Sequence, residues 1–285
     1  MKHTWIITGF LVLMFFAAQV IGLLITRSYV DVSASAEKGE LVWKDLSVAG
    51  VPINTPDVEP VISTGYIIGA VLLGTLLILL IIRLNTVWLW KLWFYFAVVM
   101  CLSLAFGAFI PALYAFIIAL VFGFFKVFRP NIYLHNLTEL FVYGGLAVIF
   151  VRMLDVKYSF ILLILLSLYD MYAVWKSKHM VKMAKFQTKS GIFAGLLVPY
   201  AAPRLKGVKR KVRTAVLGGG DIGFPLIFAG TVLIASNLAS ALIVSVCATI
   251  ALSILLLLSQ KDRFYPAIPF LTAGCAVGYL ITLLL

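Results

Sequence analysis

The sequence predicts an all-α polytopic membrane protein of nine helices, with its N-terminus inside and its C-terminus outside. Three observations carry this. The 285-residue chain is 63% hydrophobic and only 12% charged, with mean hydropathy +1.10, whereas soluble domains run nearer half apolar and a quarter charged. Nine stretches approach the roughly 20 apolar residues needed to cross hydrocarbon. Under that count the 23 Lys and Arg divide eighteen to the inside and five to the outside, the asymmetry that orients membrane helices.

The first stretch, 4–26, follows Lys2 and His3 without a small-residue cleavage site, so it reads as a retained helix rather than a cleaved signal. Residues 27–60 carry six acids and form the sizeable outside segment, expected as a small cap without chemistry. Further spans are placed at 61–82, 87–107, 109–128, 132–152 and 157–176, the third and fourth joined by a tight turn at Gly107–Pro111. Trp88, Trp90 and Trp93 suit an interfacial aromatic belt. Eleven basic residues and no acid lie between Lys176 and Arg213, around an apolar piece, Gly191 to Pro203, too short and interrupted to span. The last spans are 213–234, 237–258 and 265–284. The chain thus divides into a six-helix part, 1–176, a basic cytoplasmic loop, 177–212, and a three-helix part, 213–285.

Several classes fall away. Basic loops here mark the cytoplasmic side and anionic lipid rather than nucleic acid. Cys101, Cys247 and Cys275 sit in apolar runs with no metal-ligand spacing. No internal repeat supports an inverted-repeat transporter, and no HExxH or Ser/His/Asp array is present. Gly65, Gly69, Gly74, Gly144, Gly145, Gly274 and Gly278 suit close helix packing. "LGGGD", Leu217 to Asp221, is not a phosphate loop: no Lys-Ser/Thr follows it and no strand is expected before it.

Three acids fall well inside predicted spans: Glu139, Asp170 and Asp221. Such groups are costly in lipid and face a protein interior or a wet cavity. Glu139 shares a helix face with His135, four residues earlier; a structural pair is the favoured reading, because nothing else gathers around it. Asp170 lies about 9 Å from the inside end of its span and Asp221 about 12 Å, at 1.5 Å per residue. If those antiparallel helices are neighbours, two carboxyls stand at matching depth. In low dielectric one keeps a proton while the other ionises, which places a general acid beside a general base. The pair titrates as a unit, so neither Asp receives a fixed role. The base takes a proton from water and the acid engages the carbonyl that water attacks, without metal or cofactor. From the acids alone, a proton- or ion-coupled channel or transporter is equally open.

Three motifs then resemble the intramembrane aspartyl proteases, the family of presenilin, signal peptide peptidase and their archaeal homologues: Tyr169-Asp170, Gly218-Gly219-Gly220-Asp221, and Pro266-Ala267-Ile268 followed by Pro269, where the family usually has Pro-Ala-Leu. "GDIGFP" is nearer the signal peptide peptidase and archaeal branch than presenilin. The resemblance implies a presenilin-like fold, an aspartic endopeptidase of the GxGD type, Asp170 and Asp221 as the dyad, and a third motif lining the site. Tyr169 and the three glycines join that lining. The "YPAIP" segment, Tyr265 to Pro269, is expected to be extended backbone, since proline interrupts helical bonding. An exposed strand near 192–198 is expected to pair with an unwound substrate, making the basic loop a gate or docking edge. Transmembrane or signal-peptide-like substrates and the bilayer are the expected partners, with no obligatory accessory subunit. Short loops suggest a prokaryotic, archaeal-type cell membrane by analogy.

Overall fold

A computed structural model describes residues 5–55, 58–84, 86–177, 183, 186–187, 191–201, 212–260 and 265–285. Of the eleven basic loop residues all but Lys176 and Arg213 lie outside the described residues, as do Lys2, Lys261 and Arg263. Among the described residues, six helices are long and apolar enough to cross a membrane: α1 (Trp5–Ser28), α3 (Pro60–Leu84), α4 (Val87–Gly107), α6 (Ile132–Val151), α7 (Val156–Met171, prolonged by a π-helical turn at Tyr172–Lys176) and α9 (Leu238–Leu258). Three shorter apolar helices stand where the fourth, seventh and ninth spans were expected: α5 (Ala112–Phe128), α8 (Gly219–Ala235) and α10 (Ile268–Leu284). Large apolar side chains remain exposed along the outer faces, Leu72, Leu73, Leu76 and Leu80 on α3 and Tyr114, Ile117, Val121 and Phe124 on α5 among them. Only hydrocarbon suits such faces. This is a multi-pass integral membrane protein.

Capping sets the helix starts. Asn131, Asp155 and Asn237 precede α6, α7 and α9, and each side chain accepts backbone N–H groups of the first turn. The bundle centres on α1, α7 and α8, where Leu11, Phe15, Leu162, Leu163, Ile222, Leu226 and Phe228 are buried in one cluster. Lipid tails are as apolar as leucine, so close fit rather than water exclusion holds such helices together. Gly145 lies against the backbone of Cys101, and Gly274 and Gly278 lie against α9. Gly65, Gly69 and Gly74 have no such role: a Cβ there would meet nothing within 4 Å, because α3 packs mainly along α7 and α4 and these glycines lie off that contact. Trp88 and Trp93 are exposed as a belt requires, but Trp90 is 2% exposed and packs against Phe94 and Phe186.

The described residues between α1 and α3, expected outside, form a small cap. Helix α2 (Val32–Lys38) starts on Asp31, whose carboxylate accepts from Ala34 N at 3.1 Å and is held below the usual range chiefly by that bond. Strands β1 (Ser47–Val48) and β2 (Val51–Pro52) form a hairpin whose turn, Ala49-Gly50, has φ of 56° and 82°, the left-handed pair that tight hairpins require. The guanidinium of Arg152, at the end of α6, lies 4.8 Å from the Trp43 ring.

The main departure from expectation is at the seventh span. Residues 213–218 do not begin a helix; they belong to strand β4 (Val212–Gly218), which pairs antiparallel with β3 (Gly195–Ala201), Gly195 opposite Gly218. A short apolar run fits strand and helix alike. Its alternation decides: Ala215 and Leu217 are buried while Thr214 and Val216 are exposed. A strand does precede "GGGD", though the Lys-Ser/Thr of a phosphate loop is still missing.

Candidate active site

Helix α8 begins where β4 ends. Gly218 is its N-cap, so Asp221 stands at the third helical position. An acid there reaches back to the N-cap N–H, and the Asp221 carboxylate does bond the Gly218 N–H. A Cβ on Gly218 would come 3.1 Å from Asp221 Oδ2, and one on Gly219 2.9 Å from the Tyr143 hydroxyl. Gly220 is exposed and meets only Phe224, at 3.4 Å. The first two glycines therefore serve close approach, and the third has room for an ordinary contact. The depth reckoned from a continuous helix does not apply, since strand precedes Gly219. Pro225 leaves α8 continuous to Ala235, and the buried Gln19 of α1 donates to Ile222 O at 3.0 Å.

Asp170 is buried near the end of α7, two residues before the π-helical turn that starts at Tyr172. The first N–H groups of a helix have no partner within it. At α10 the Ile268 N–H donates to Asp170 Oδ2 at 3.2 Å and the Ala267 N–H also bonds this carboxylate. Pro266 and Pro269 flank these two donors and have no N–H of their own. Thus "PAIP" presents two adjacent amides to one carboxylate, with the positive end of α10 behind them. The segment is not extended throughout. Ala267 has helical angles (φ −88°, ψ −33°), and Ile268 and Pro269 already belong to α10, since proline is tolerated in a first turn. Pro266, Ala267 and Ile268 are all buried, which irregular backbone in a membrane protein requires.

Helices α7 and α8 are neighbours, joined by Ser159 and Thr231 at 2.8 Å, and α7 meets α10 through Ser167 and Thr272 at 2.8 Å. Asp170 is near enough to Asp221 for the two carboxyls to interact electrostatically. The fold therefore brings together the two acids and the third motif. The Tyr169 hydroxyl donates to Thr75 of α3 at 3.0 Å, tying α7 to α3. The Glu139–His135 pair is not isolated: Lys126 Nζ lies 2.7 Å from Glu139, Tyr143 donates to the other carboxylate oxygen, and His135 Nε2 lies 2.8 Å from Gly195 O. Lys126 lies nine residues before His135 on another helix, where the sequence does not single it out; Tyr143 lies four residues after Glu139, a spacing that shares a helix face and could have signalled it.

The chain matches the family model described as signal-peptide peptidase, presenilin aspartyl protease over residues 45–285. It belongs to that family. This presenilin-family chain is also similar to two solved structures of a presenilin family intramembrane aspartate protease, in C222 and P2 space groups. The first aligns with TM-score 0.65 at 20% identity over 98% of this chain and 99% of that one. The second gives 0.64 at 20% identity over 96% of each. No curated protein matches. The presenilin-family enzyme is an intramembrane aspartyl endopeptidase, and the tie with an ion-coupled transporter is broken in favour of hydrolysis.

Proposed function

We propose that this enzyme cuts transmembrane or signal-peptide-like helices with Asp170 and Asp221 as its dyad. The observation that carries this is the convergence of the end of α7 and the starts of α8 and α10, which hold the two carboxyls. One carboxylate takes a proton from water as its oxygen attacks the scissile carbonyl carbon; the other, protonated, donates to the carbonyl oxygen. As the C–N bond breaks, the leaving amine takes the proton. Tyr169, Gly218, Gly219, Gly220, Pro266, Ala267 and Ile268 line the cleft, and the chain crosses the membrane nine times, N-terminus inside. Lipid and substrate suffice as partners.

The docking edge moves from β3 to β4. Ile192 and Phe193 are buried, and the outer edge of β3 is spent on α6: Asn136 Nδ2 donates to Leu197 O at 2.8 Å, its Oδ1 accepts from Leu197 N at 3.0 Å, and His135 meets Gly195 O. Pro199, next on that edge, has no N–H to offer. Alternation then turns the outward groups of β4 at Thr214 and Val216 away from β3. They lead to Gly218 and Asp221, so an unwound substrate segment added there lies alongside the dyad.

Purified protein and a model single-span peptide test the dyad, with products read by mass spectrometry. Asn accepts the same hydrogen bonds but cannot shuttle the proton, so Asp170→Asn and Asp221→Asn are each expected to fold and to lose cleavage. Cleavage by either variant at the wild-type rate would remove that residue from the mechanism.

A further inference from the structure

Beside the site lies a buried ion pair that the reaction does not use. Lys126 and Glu139 have side chains 0% and 2% exposed. Lys126 Nζ also contacts Thr138 Oγ1 at 2.9 Å, His135 O at 3.2 Å and His135 Nδ1 at 3.4 Å. A buried pair recovers its desolvation cost only with excellent geometry, and apolar residues often hold as well. Two arms leave it. With the Lys126 ammonium donating to Nδ1, His135 carries its proton on Nε2 and donates to Gly195 O at 2.8 Å. Tyr143 donates to Glu139 and lies directly under Gly219. The first arm ends opposite Gly218, the second two residues before Asp221.

We infer that Lys126, Glu139, His135 and Tyr143 form an anchor that fixes the base of the β3–β4 hairpin and the first turn of α8, holding Asp221 in register with Asp170. All four are positioning residues. The inference rests on the dyad reading, so its test carries a readout independent of cleavage. Tyr143→Phe keeps the ring and removes the bond to Glu139; His135→Leu removes the bond to Gly195, and His135→Gln restores a donor. The neutral double variant Lys126→Met/Glu139→Gln avoids leaving a lone buried charge. Steady-state kinetics on the model peptide and amide hydrogen exchange are measured together. Tyr143→Phe, His135→Leu and the double variant are expected to lower kcat about tenfold, short of the ~100-fold of a 1 Å misplacement, with KM changed by less than about twofold. Exchange is expected to rise at 195–201 and 214–220 and to stay unchanged in α9, with His135→Gln near wild type on both counts. Wild-type kcat in Tyr143→Phe and His135→Leu, or exchange that rises equally in α9, would overturn the anchor. If the wild-type protein cuts no peptide, the dyad reading fails, and the exchange pattern still decides whether the anchor exists.

Discussion

Helix α8 starts on Gly218-Gly219-Gly220-Asp221 and helix α10 on Ala267-Ile268 between two prolines, and each start delivers backbone N–H groups to a carboxylate. At α8 the acid belongs to the same turn and caps its own helix. At α10 the acid comes from α7, about a hundred residues away in sequence, and caps a helix not its own. Glycines give room at the first; prolines remove competing donors at the second. Asp221 is thus set by local geometry plus what presses on that turn, and Asp170 by how α7 and α10 dock.

Substitutions separate these two modes. The largest effect beyond the dyad itself is expected from Gly219→Ala, because its Cβ would lie 2.9 Å from the hydroxyl of Tyr143, a rigid side chain; about 1–3 kcal/mol of stability and most activity should go, read by thermal unfolding and peptide cleavage. Gly218→Ala should act more gently, since Asp221 Oδ2 at 3.1 Å can retreat by a few tenths of an ångström. It should lower kcat without destabilising the bundle, and loss of both in parallel would show that the strand, not the carboxylate, is what the glycine protects. At the other start, Thr272→Val removes the bond to Ser167 at 2.8 Å, worth about 0.6–1.7 kcal/mol in a membrane interior; kcat should fall while β3–β4 exchange stays unchanged. Gly220→Ala is the smallest, within about 0.5 kcal/mol and with activity retained, because the added methyl makes only an ordinary contact with Phe224. A large loss there would mean that substrate passes over that face.

The residues of the candidate site were legible because membrane depth leaves few reasons for an acid, and only Glu139, Asp170 and Asp221 sit deep in predicted spans. The strand before Gly219 was not, because a seven-residue stretch with a short apolar run near its end, Ala215 to Leu217, fits either backbone until a partner strand appears. Nor were the partners of Gln19 and Lys126, because each polar group meets a segment far away in the chain or on another helix and periodicity says nothing about what it faces; Tyr143, four residues after Glu139, was within reach of the helical spacing alone.

By itself the sequence determined the membrane class, the succession of apolar helices and the three motifs, because these follow from hydropathy and from residue types that a bilayer tolerates only for cause. The tertiary structure alone decided that α6 bonds the outer edge of β3 while, among the described residues, no strand pairs with the outer edge of β4, and that a carboxylate on α7 satisfies the amides of α10. It also decided that a buried ion pair braces the turn carrying Asp221. Each of these joins atoms far apart in the chain, and hydrogen bonds between distant segments leave no period or composition to read.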